Sequence, residues 1–138
     1  MPFNEIEKDL IEGNLEVKDL PGAWDEKMQS YLSLSTENDF KNGVLQDVHW
    51  PAGLFGYFPT YTLGAMTAAQ LFTAAKDAVP DLLTEIGKGN FAPLLSWLRS
   101  NVHNKGKYLP YEQLMIEATG GPLDADYFKS HLKERYQT

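Results

Sequence analysis

The sequence predicts an all-α protein, and two observations on its 138 residues support this. Leucine occurs 18 times against five valines and four isoleucines, and eleven alanines further favour helices. Residues that start or end helices recur along the chain, whereas alternating apolar and polar runs of strand length are scarce. Because this length suffices for one hydrophobic core, we expect a single irregular multi-helix domain over residues 1–138.

Two helices are predicted in the N-terminal third. The first can be capped by Asn4 and ends at Gly13, and the second follows Leu20-Pro21-Gly22. Each has apolar residues at helical spacing that we expect to face inward: Ile6, Leu10 and Ile11 in the first, and Trp24, Met28, Tyr31 and Leu32 in the second.

A long central loop is predicted over about residues 33–58, where no helical period holds and glycine, asparagine and proline are frequent. Its aromatic residues, Trp50, Phe55, Tyr57 and Phe58, argue against disorder. Pro59 suits the first turn of a helix, so a long helix should start there and run to about residue 79. Its many alanines and glycines would let another helix approach closely, and we expect this helix to be buried.

Four shorter helices should follow. Pro80 and Asp81 open one that ends at Gly87, and Asn90 can cap the next, which has Pro93 in its first turn. The last two are bounded by Pro110 and Gly120, and by a cap at Asp124. The apolar positions of these segments are Phe91, Leu94, Leu95, Leu98 and Val102, and then Phe128, Leu132 and Tyr136.

The charge is acidic and unevenly distributed. The net charge is -7, and residues 1–50 carry 11 acids and four bases, whereas 28 consecutive residues, 48–75, carry no formal charge. An acidic chain gives little support for binding nucleic acid or an anionic membrane, so neither is expected as a partner. Glycines and prolines interrupt the uncharged stretch, which predicts a buried segment of a soluble protein and not a membrane span. With no cysteine and no signal-peptide pattern at the N-terminus, we expect a cytoplasmic protein.

The sequence contains no general catalytic motif that would identify an enzyme. His-Glu-x-x-His, a phosphate-binding loop and Gly-x-Ser-x-Gly are absent, and the three histidines, His49, His103 and His131, are widely spaced. We therefore expect no metal to be bound by this chain.

The remaining candidate site is the end of the central loop. His49, Tyr57 and Tyr61 are neutral hydrogen-bonding residues in the uncharged stretch, and they suit a site where negative charge develops on a substrate oxygen. Asp47 could orient the imidazole, although it need not reach His49. The alternative is structural, because glycines and aromatic residues in a buried loop usually serve turns and packing.

The same segment resembles a known family. Two motifs, Gly43-x-x-Gln46-Asp47-x-His49-Trp50 and Gly56-Tyr57-Phe58-Pro59-Thr60-Tyr61-x-Leu63-Gly64, are similar to consecutive segments of the thermostable metallocarboxypeptidases of the carboxypeptidase Taq type. The resemblance continues on both sides, through Leu10-Ile11-Glu12-Gly13 before the motifs and through Ala92-Pro93-Leu94-Leu95-x-Trp97-Leu98 and Ala118-Thr119-Gly120 after them.

The resemblance implies a large, mostly helical zinc peptidase that removes C-terminal residues from peptides and works as a homodimer. Its zinc would sit on a His-Glu-x-x-His helix that this sequence lacks, so we expect the chain to be the C-terminal quarter of such an enzyme and inactive without the missing N-terminal catalytic portion. Zinc, or another divalent metal, would be the cofactor of the full-length enzyme.

Specific roles also follow from the resemblance. In the complete enzyme a metal-activated water would attack the scissile carbonyl, and His49 and Tyr61 would hydrogen-bond its oxygen, with Tyr57 a weaker candidate. The loop itself would be shaped by Gly43, Gln46, Asp47 and Trp50. The alternative is a free-standing helical interaction module, or a homologue that has lost peptidase activity.

Overall fold

The computed structural model describes residues 2–137, with the backbone alone for Pro2. The described residues form seven α-helices and no strand, which confirms the predicted fold class. The helices are α1 (Pro2–Glu12), α2 (Leu20–Leu32), α3 (Pro59–Ala78), α4 (Leu82–Gly87), α5 (Ala92–Asn101), α6 (Tyr111–Thr119) and α7 (Ala125–Tyr136). Short 3₁₀ turns lie at Val17–Asp19, Val44–Gln46 and His103–Lys105. No helix within residues 2–137 combines the length and the apolar character that crossing a bilayer would require.

The contacts divide the chain into two compact units. The first extends to Thr62 and the second begins at Leu63, so that the boundary lies inside α3. Each unit contains buried residues of its own, and the candidate site of the sequence analysis lies wholly in the first.

An aromatic cluster forms the core of the first unit. Phe3 of α1 stacks on Phe58 with ring centroids 5.0 Å apart and meets the edge of Trp24 of α2 at 4.6 Å. Trp50 contacts both Trp24 and Phe58 edge-on, at 6.4 and 6.1 Å. Such edge-to-face and offset arrangements are favourable for aromatic rings. The cluster therefore links α1, α2 and the end of the central loop around the buried residues Trp24 and Phe58.

The first two helices lie where the sequence predicts them, with two corrections. Asn4 does not cap α1, because the helix already begins at Pro2. Three side chains expected to face inward are largely exposed, because nothing in the described residues covers that part of the helix surface: Ile11 at 65%, Tyr31 at 53% and Leu32 at 55%. The polar contacts between the helices lie at the surface, where Lys27 and Tyr31 both donate to the carboxylate of Glu5, at 2.5 and 2.7 Å.

The predicted loop and the long helix are both present. Ser33 ends α2 with a left-handed φ of 56°, and the next α-helix begins at Pro59. The expectation that this helix and the uncharged stretch are buried needs correction. In α3 only Gln70 and Ala75 are buried, and Val48, Phe55 and Tyr61 of the uncharged stretch are more than half exposed. A lack of formal charge shows that a segment can be covered, but it does not supply the surface that covers it.

The second unit has a small core that includes Ala75, Leu82 and Met115. As predicted, Gly120 ends α6 in the left-handed conformation, with φ 85°, and Asp124 caps α7 by accepting from the backbone N–H of Asp126 at 2.9 Å. Asn90 accepts from the N–H of Ala92 at 3.2 Å, although the helix cap itself is Phe91.

Candidate functional site

The first residue of the Gly43 motif is a glycine because there is no room for a side chain. Gly43 is buried, and a Cβ atom at this position would lie 2.8 Å from the carbonyl oxygen of Asp39 and 3.0 Å from the Cβ of Thr36. Three residues later the Gln46 amide donates to the carbonyl oxygen of Lys41 at 2.6 Å. Both residues thus lie against the loop backbone that precedes the site.

Asp47 organises the turn that follows. Its side chain is 2% exposed, and it accepts hydrogen bonds from the backbone N–H groups of His49 and Trp50, at 3.3 and 2.9 Å. It also accepts from Nδ1 of His49 at 2.9 Å. Burial raises the pKa of this carboxyl group, but the hydrogen bonds from Trp50 and His49 together outweigh burial, so that its pKa lies below the ordinary value. Asp47 is therefore a buried, ionised acceptor at neutral pH.

His49 continues this chain of hydrogen bonds to Tyr61. Its Nδ1 is bonded to Asp47, and its Nε2 lies 3.0 Å from the hydroxyl oxygen of Tyr61 in the first turn of α3. An ionised carboxylate can only accept, so Nδ1 carries a proton. In the neutral imidazole Nε2 must then accept, and Tyr61 donates its O–H to it. The sequence left open whether Asp47 reaches His49, and the structure shows that it does.

Tyr57 lies against both residues. Its ring stacks on the imidazole with centroids 5.5 Å apart and an angle of 26°, and it meets the Tyr61 ring edge-on at 5.4 Å. Behind them, the buried Phe58 contacts the imidazole at 4.7 Å. The three residues predicted for the site, His49, Tyr57 and Tyr61, are thus brought together, on a floor of aromatic rings. Tyr57 and Tyr61 are 40% and 55% exposed, so their outer faces are open.

Trp50, the last residue of the motif, belongs to this floor. Its ring contacts Trp24 and Phe58, and its buried indole Nε1 has no hydrogen-bond partner among the residues that the structure describes. A buried N–H without a partner is costly, whereas the ring contacts are favourable. Trp50 therefore packs against the other aromatic rings of this floor.

One residue at this site was missed by the sequence analysis. Glu7 of α1 is 2% exposed, and its carboxyl group accepts from the backbone N–H of Gly56 at 2.5 Å. The available signal was an acidic residue directly beside the apolar position Ile6 on the inner side of a helix. Its partner is 49 residues away, so no local pattern could have supplied it.

The donor set does not fit a metal ion. Within residues 2–137 no group of three or more His, Cys, Asp or Glu side chains could hold one. Both ring nitrogens of His49 are already hydrogen-bonded, to Asp47 and to Tyr61. Zinc sites need three or four converging ligands. This site can therefore donate and accept hydrogen bonds, and its described residues do not form a ligand set of the kind that zinc needs.

This chain is similar to known proteins over almost its whole length. A model of the carboxypeptidase Taq (M32) metallopeptidase family matches residues 3–136. Thermostable carboxypeptidase 1 of Thermus thermophilus is 42% identical over 132 residues, which are 96% of this chain and 26% of that protein. Thermostable carboxypeptidase 1 of Pyrococcus furiosus is 36% identical over the same shares.

A solved structure gives the same result. Metallocarboxypeptidase 1 of Trypanosoma cruzi superposes with a TM-score of 0.91 at 42% identity, covering 97% of this chain and 28% of that one. The chain spans about a quarter of the length of the relatives that it matches. Because the family model matches almost every residue, the chain belongs to the carboxypeptidase Taq (M32) metallopeptidase family.

Proposed function

We propose that this chain forms the substrate-side wall of a metallocarboxypeptidase that releases C-terminal amino acids from peptides. The observation that carries the proposal is the hydrogen-bonded chain from Asp47 through His49 to the half-exposed Tyr61, in a segment without formal charge. Family membership supports the reaction class. The family's divalent metal, zinc by resemblance, is assigned to the other three quarters of the enzyme, and we expect the chain to be inactive alone.

The chemistry of these residues suits peptide hydrolysis. Attack on the scissile carbonyl places negative charge on its oxygen, and donors already in position lower the energy of that state. When His49 is protonated, both ring nitrogens donate, so Nε2 donates to the hydroxyl oxygen of Tyr61. The Tyr61 proton is then free to be donated to the substrate oxygen. Asp47 holds the imidazole in this orientation, because its carboxylate accepts from Nδ1 of His49 at 2.9 Å.

The partner in this proposal is a polypeptide that corresponds to the missing N-terminal catalytic portion. Several large apolar side chains around the site are exposed in this chain, among them Val48 at 69%, Leu54 at 44% and Phe55 at 53%. Exposed apolar groups of this kind mark surfaces that bind another protein. A second copy of the complete enzyme is expected to complete the homodimer, which sedimentation of the assembled complex would measure.

The proposal is tested by complementation. The chain is combined with the N-terminal part of the Thermus thermophilus relative, about three quarters of that protein, and release of C-terminal residues from a peptide is measured. Neither piece should turn over substrate alone. In the complex, Tyr61→Phe removes the proposed donor, and His49→Ala removes the residue that orients it. Each should lower kcat by about 100- to 1,000-fold, the usual effect of losing one such donor.

Two matched controls are available outside the site. Tyr108→Phe removes the hydroxyl of a tyrosine that is 89% exposed, and His103→Ala removes an exposed imidazole. Both should leave kcat within about two-fold of the unsubstituted complex, since exposed substitutions have small effects. Stoichiometric metal and turnover in the isolated chain would contradict the predicted inactivity. An unchanged rate in Tyr61→Phe would remove that residue from the site.

A further inference from the structure

Glu7 holds an unusual position for a carboxyl group. It is almost completely buried, at 2% exposure, and one oxygen accepts from the backbone N–H of Gly56 at 2.5 Å. The other oxygen, Oε2, has no hydrogen-bond partner among the described residues. Burying a carboxyl group with one oxygen unpaired is costly. An apolar side chain would fill this space without that cost. The carboxyl group therefore indicates a role other than packing.

The partner of Glu7 is the turn that leads into the site. Gly56 has a φ of +74°, a conformation that favours glycine, and Tyr57 follows it directly. The carbonyl oxygen of Tyr57 accepts from the backbone N–H and the hydroxyl of Thr60, at 3.0 and 2.6 Å, and so forms the first turn of α3. That turn carries Tyr61. The position of the Gly56 backbone is thus transmitted over five residues to both tyrosines of the site.

A second contact from α1 acts on the same segment. Phe3 lies four residues before Glu7, so the two side chains share one face of the helix. Phe3 stacks on Phe58 with ring centroids 5.0 Å apart. Glu7 binds the backbone of Gly56, and Phe3 contacts the side chain of Phe58, one on each side of Tyr57. One helix face thereby holds both ends of this segment.

We propose that Glu7 is a positioning residue, whose hydrogen bond to Gly56 fixes Tyr57 and Tyr61 against His49. Its importance for turnover rests on the proposed function, whereas its effect on the geometry can be tested without it. Removal of the carboxyl group leaves the Gly56 N–H without an acceptor, so that the turn at Gly56 can change its conformation. The stacking of Tyr57 on His49 and the hydrogen bond from Tyr61 to His49 depend on that turn.

The geometric test uses NMR on the 138-residue chain. Glu7→Leu should increase amide hydrogen exchange at Gly56 at least ten-fold and abolish the nuclear Overhauser contact between the Tyr57 and His49 rings. Glu7→Gln keeps an acceptor oxygen at the same distance and should retain both. Glu16→Gln makes the same change in an exposed side chain and should change neither. Unchanged exchange and ring contact in Glu7→Leu would overturn the proposal.

A second variant distinguishes unfolding of the chain from displacement of Tyr57 and Tyr61. If Glu7→Leu loses its helical circular dichroism, Glu7→Asp takes its place, because its carboxyl group is one methylene too short to reach Gly56 without moving the helix. With its helices intact, Glu7→Asp should show the same faster Gly56 exchange and the same loss of ring contact. If both observations match the unsubstituted chain, Glu7 is not a positioning residue.

The kinetic test uses the complemented enzyme. Glu7→Leu, or Glu7→Asp in its place, should lower kcat about ten-fold with KM changed less than about three-fold, since a misplaced catalytic group mainly reduces the chemical step. Glu7→Gln should restore most of the rate. If the unsubstituted complex shows no turnover, the proposed function fails, and the NMR result still decides the position of the tyrosines. A displaced Tyr57 with an unchanged kcat would contradict the link from Glu7 to catalysis.

Discussion

Asp47 and Gln70 are both buried polar side chains with several backbone partners, but their hydrogen-bond networks end differently. Gln70 is 1% exposed, and its amide donates to the Thr119 hydroxyl and the Pro122 carbonyl, at 2.8 and 2.9 Å. Its Oε1 accepts from the N–H of Asp124 at 2.9 Å. These partners lie at the end of α6 and in the connection that follows it to α7. The Asp47 network instead continues through His49 to the hydroxyl of Tyr61, on a side chain that is 55% exposed.

The difference separates a structural network from one that can act on a ligand. A network in which every donor and acceptor is paired inside the protein stabilises one conformation and has nothing left to offer. A network that ends on an exposed hydroxyl can transfer the effect of a buried charge to a bound molecule. Buried polar side chains can therefore have different roles. Substitution of Asp47 should change the rate of turnover, whereas substitution of Gln70 should change the free energy of unfolding.

Among the substitutions that distinguish these two networks, the largest effect is expected for Asp47→Asn in the complemented enzyme. Asparagine removes the buried carboxylate that fixes the proton on Nδ1 and the orientation of the His49 ring, and we expect kcat to fall about 100-fold, equivalent to about 2.7 kcal/mol in the barrier. The measurement is steady-state peptide hydrolysis at pH 7. A rate within about two-fold of the unsubstituted enzyme would show that the orienting charge contributes little.

The same variant also makes a prediction about pH. The pKa of Asp47 is lowered by folding, so its ionised form stabilises the folded chain above the ordinary value of 3.8, and this contribution is lost as the pH falls through the lower folded-state pKa. The urea midpoint of the unsubstituted chain should therefore fall more steeply below pH 4 than that of Asp47→Asn. Parallel curves would contradict this.

Gln70→Leu should act on stability and not on turnover. Leucine has a similar volume but leaves the N–H of Asp124 and the carbonyl of Pro122 unpaired, at a cost of about 2 kcal/mol in the free energy of unfolding. Urea unfolding of the isolated chain measures it. Gln113→Leu, at an exposed glutamine of α6, is the matched control and should have little effect. If Gln70→Leu lowered kcat of the folded complex as much as Asp47→Asn does, the distinction between the two networks would be wrong.

Gly43→Ala should lower the free energy of unfolding, although it changes no hydrogen-bonding side chain. The added Cβ would lie 2.8 Å from the carbonyl oxygen of Asp39, so the loop backbone must shift, at a cost of about 1 to 2 kcal/mol. Gly22→Ala serves as the control, because nothing lies within 4 Å of the added atom and alanine favours the helix by about 0.5 kcal/mol. Equal unfolding midpoints for the two variants would refute the steric explanation.

The smallest effect is expected for Glu5→Gln. The hydrogen bond from Lys27, together with that from Tyr31, lowers the pKa of Glu5 to about 2. Its contribution to stability should be present above pH 4.5, the ordinary value, and should be lost as the pH falls towards 2. The ion pair of Glu5 with Lys27 lies at the surface. We therefore expect a small difference in urea midpoint between the unsubstituted chain and Glu5→Gln at pH 6, and this difference should vanish near pH 2. A difference that increases towards low pH would contradict it.

Local features could be predicted from the sequence because their causes lie within a few residues. Pro59 and Gly120 set helix ends through their backbone conformations, and the Asp124 cap needs a partner only two residues away. The grouping of His49 with Tyr57 and Tyr61 also followed from nearness along the chain. Their residue types suggested stabilisation of a substrate oxygen, and the family resemblance supplied the reaction.

What the sequence did not contain was the set of contacts between distant segments. The bond from Gly56 to Glu7 joins residues 49 apart, and that from Asp124 to Gln70 joins residues 54 apart. No helical period or cap encodes such a pairing. The exposure of Ile11 and Tyr31 was likewise misjudged, since an apolar stripe shows which face can be buried but not how much surface is available to bury it.

The sequence by itself therefore determined the all-α class, the long loop before α3 and the residue types of the site, because these depend on backbone preferences and short spacings. Only the tertiary structure decided that the Asp47, His49 and Tyr61 side chains form one hydrogen-bonded line and that Glu7 supports it from α1. Hydrogen bonds need atoms within about 3 Å, a condition that packing satisfies and that sequence order cannot specify.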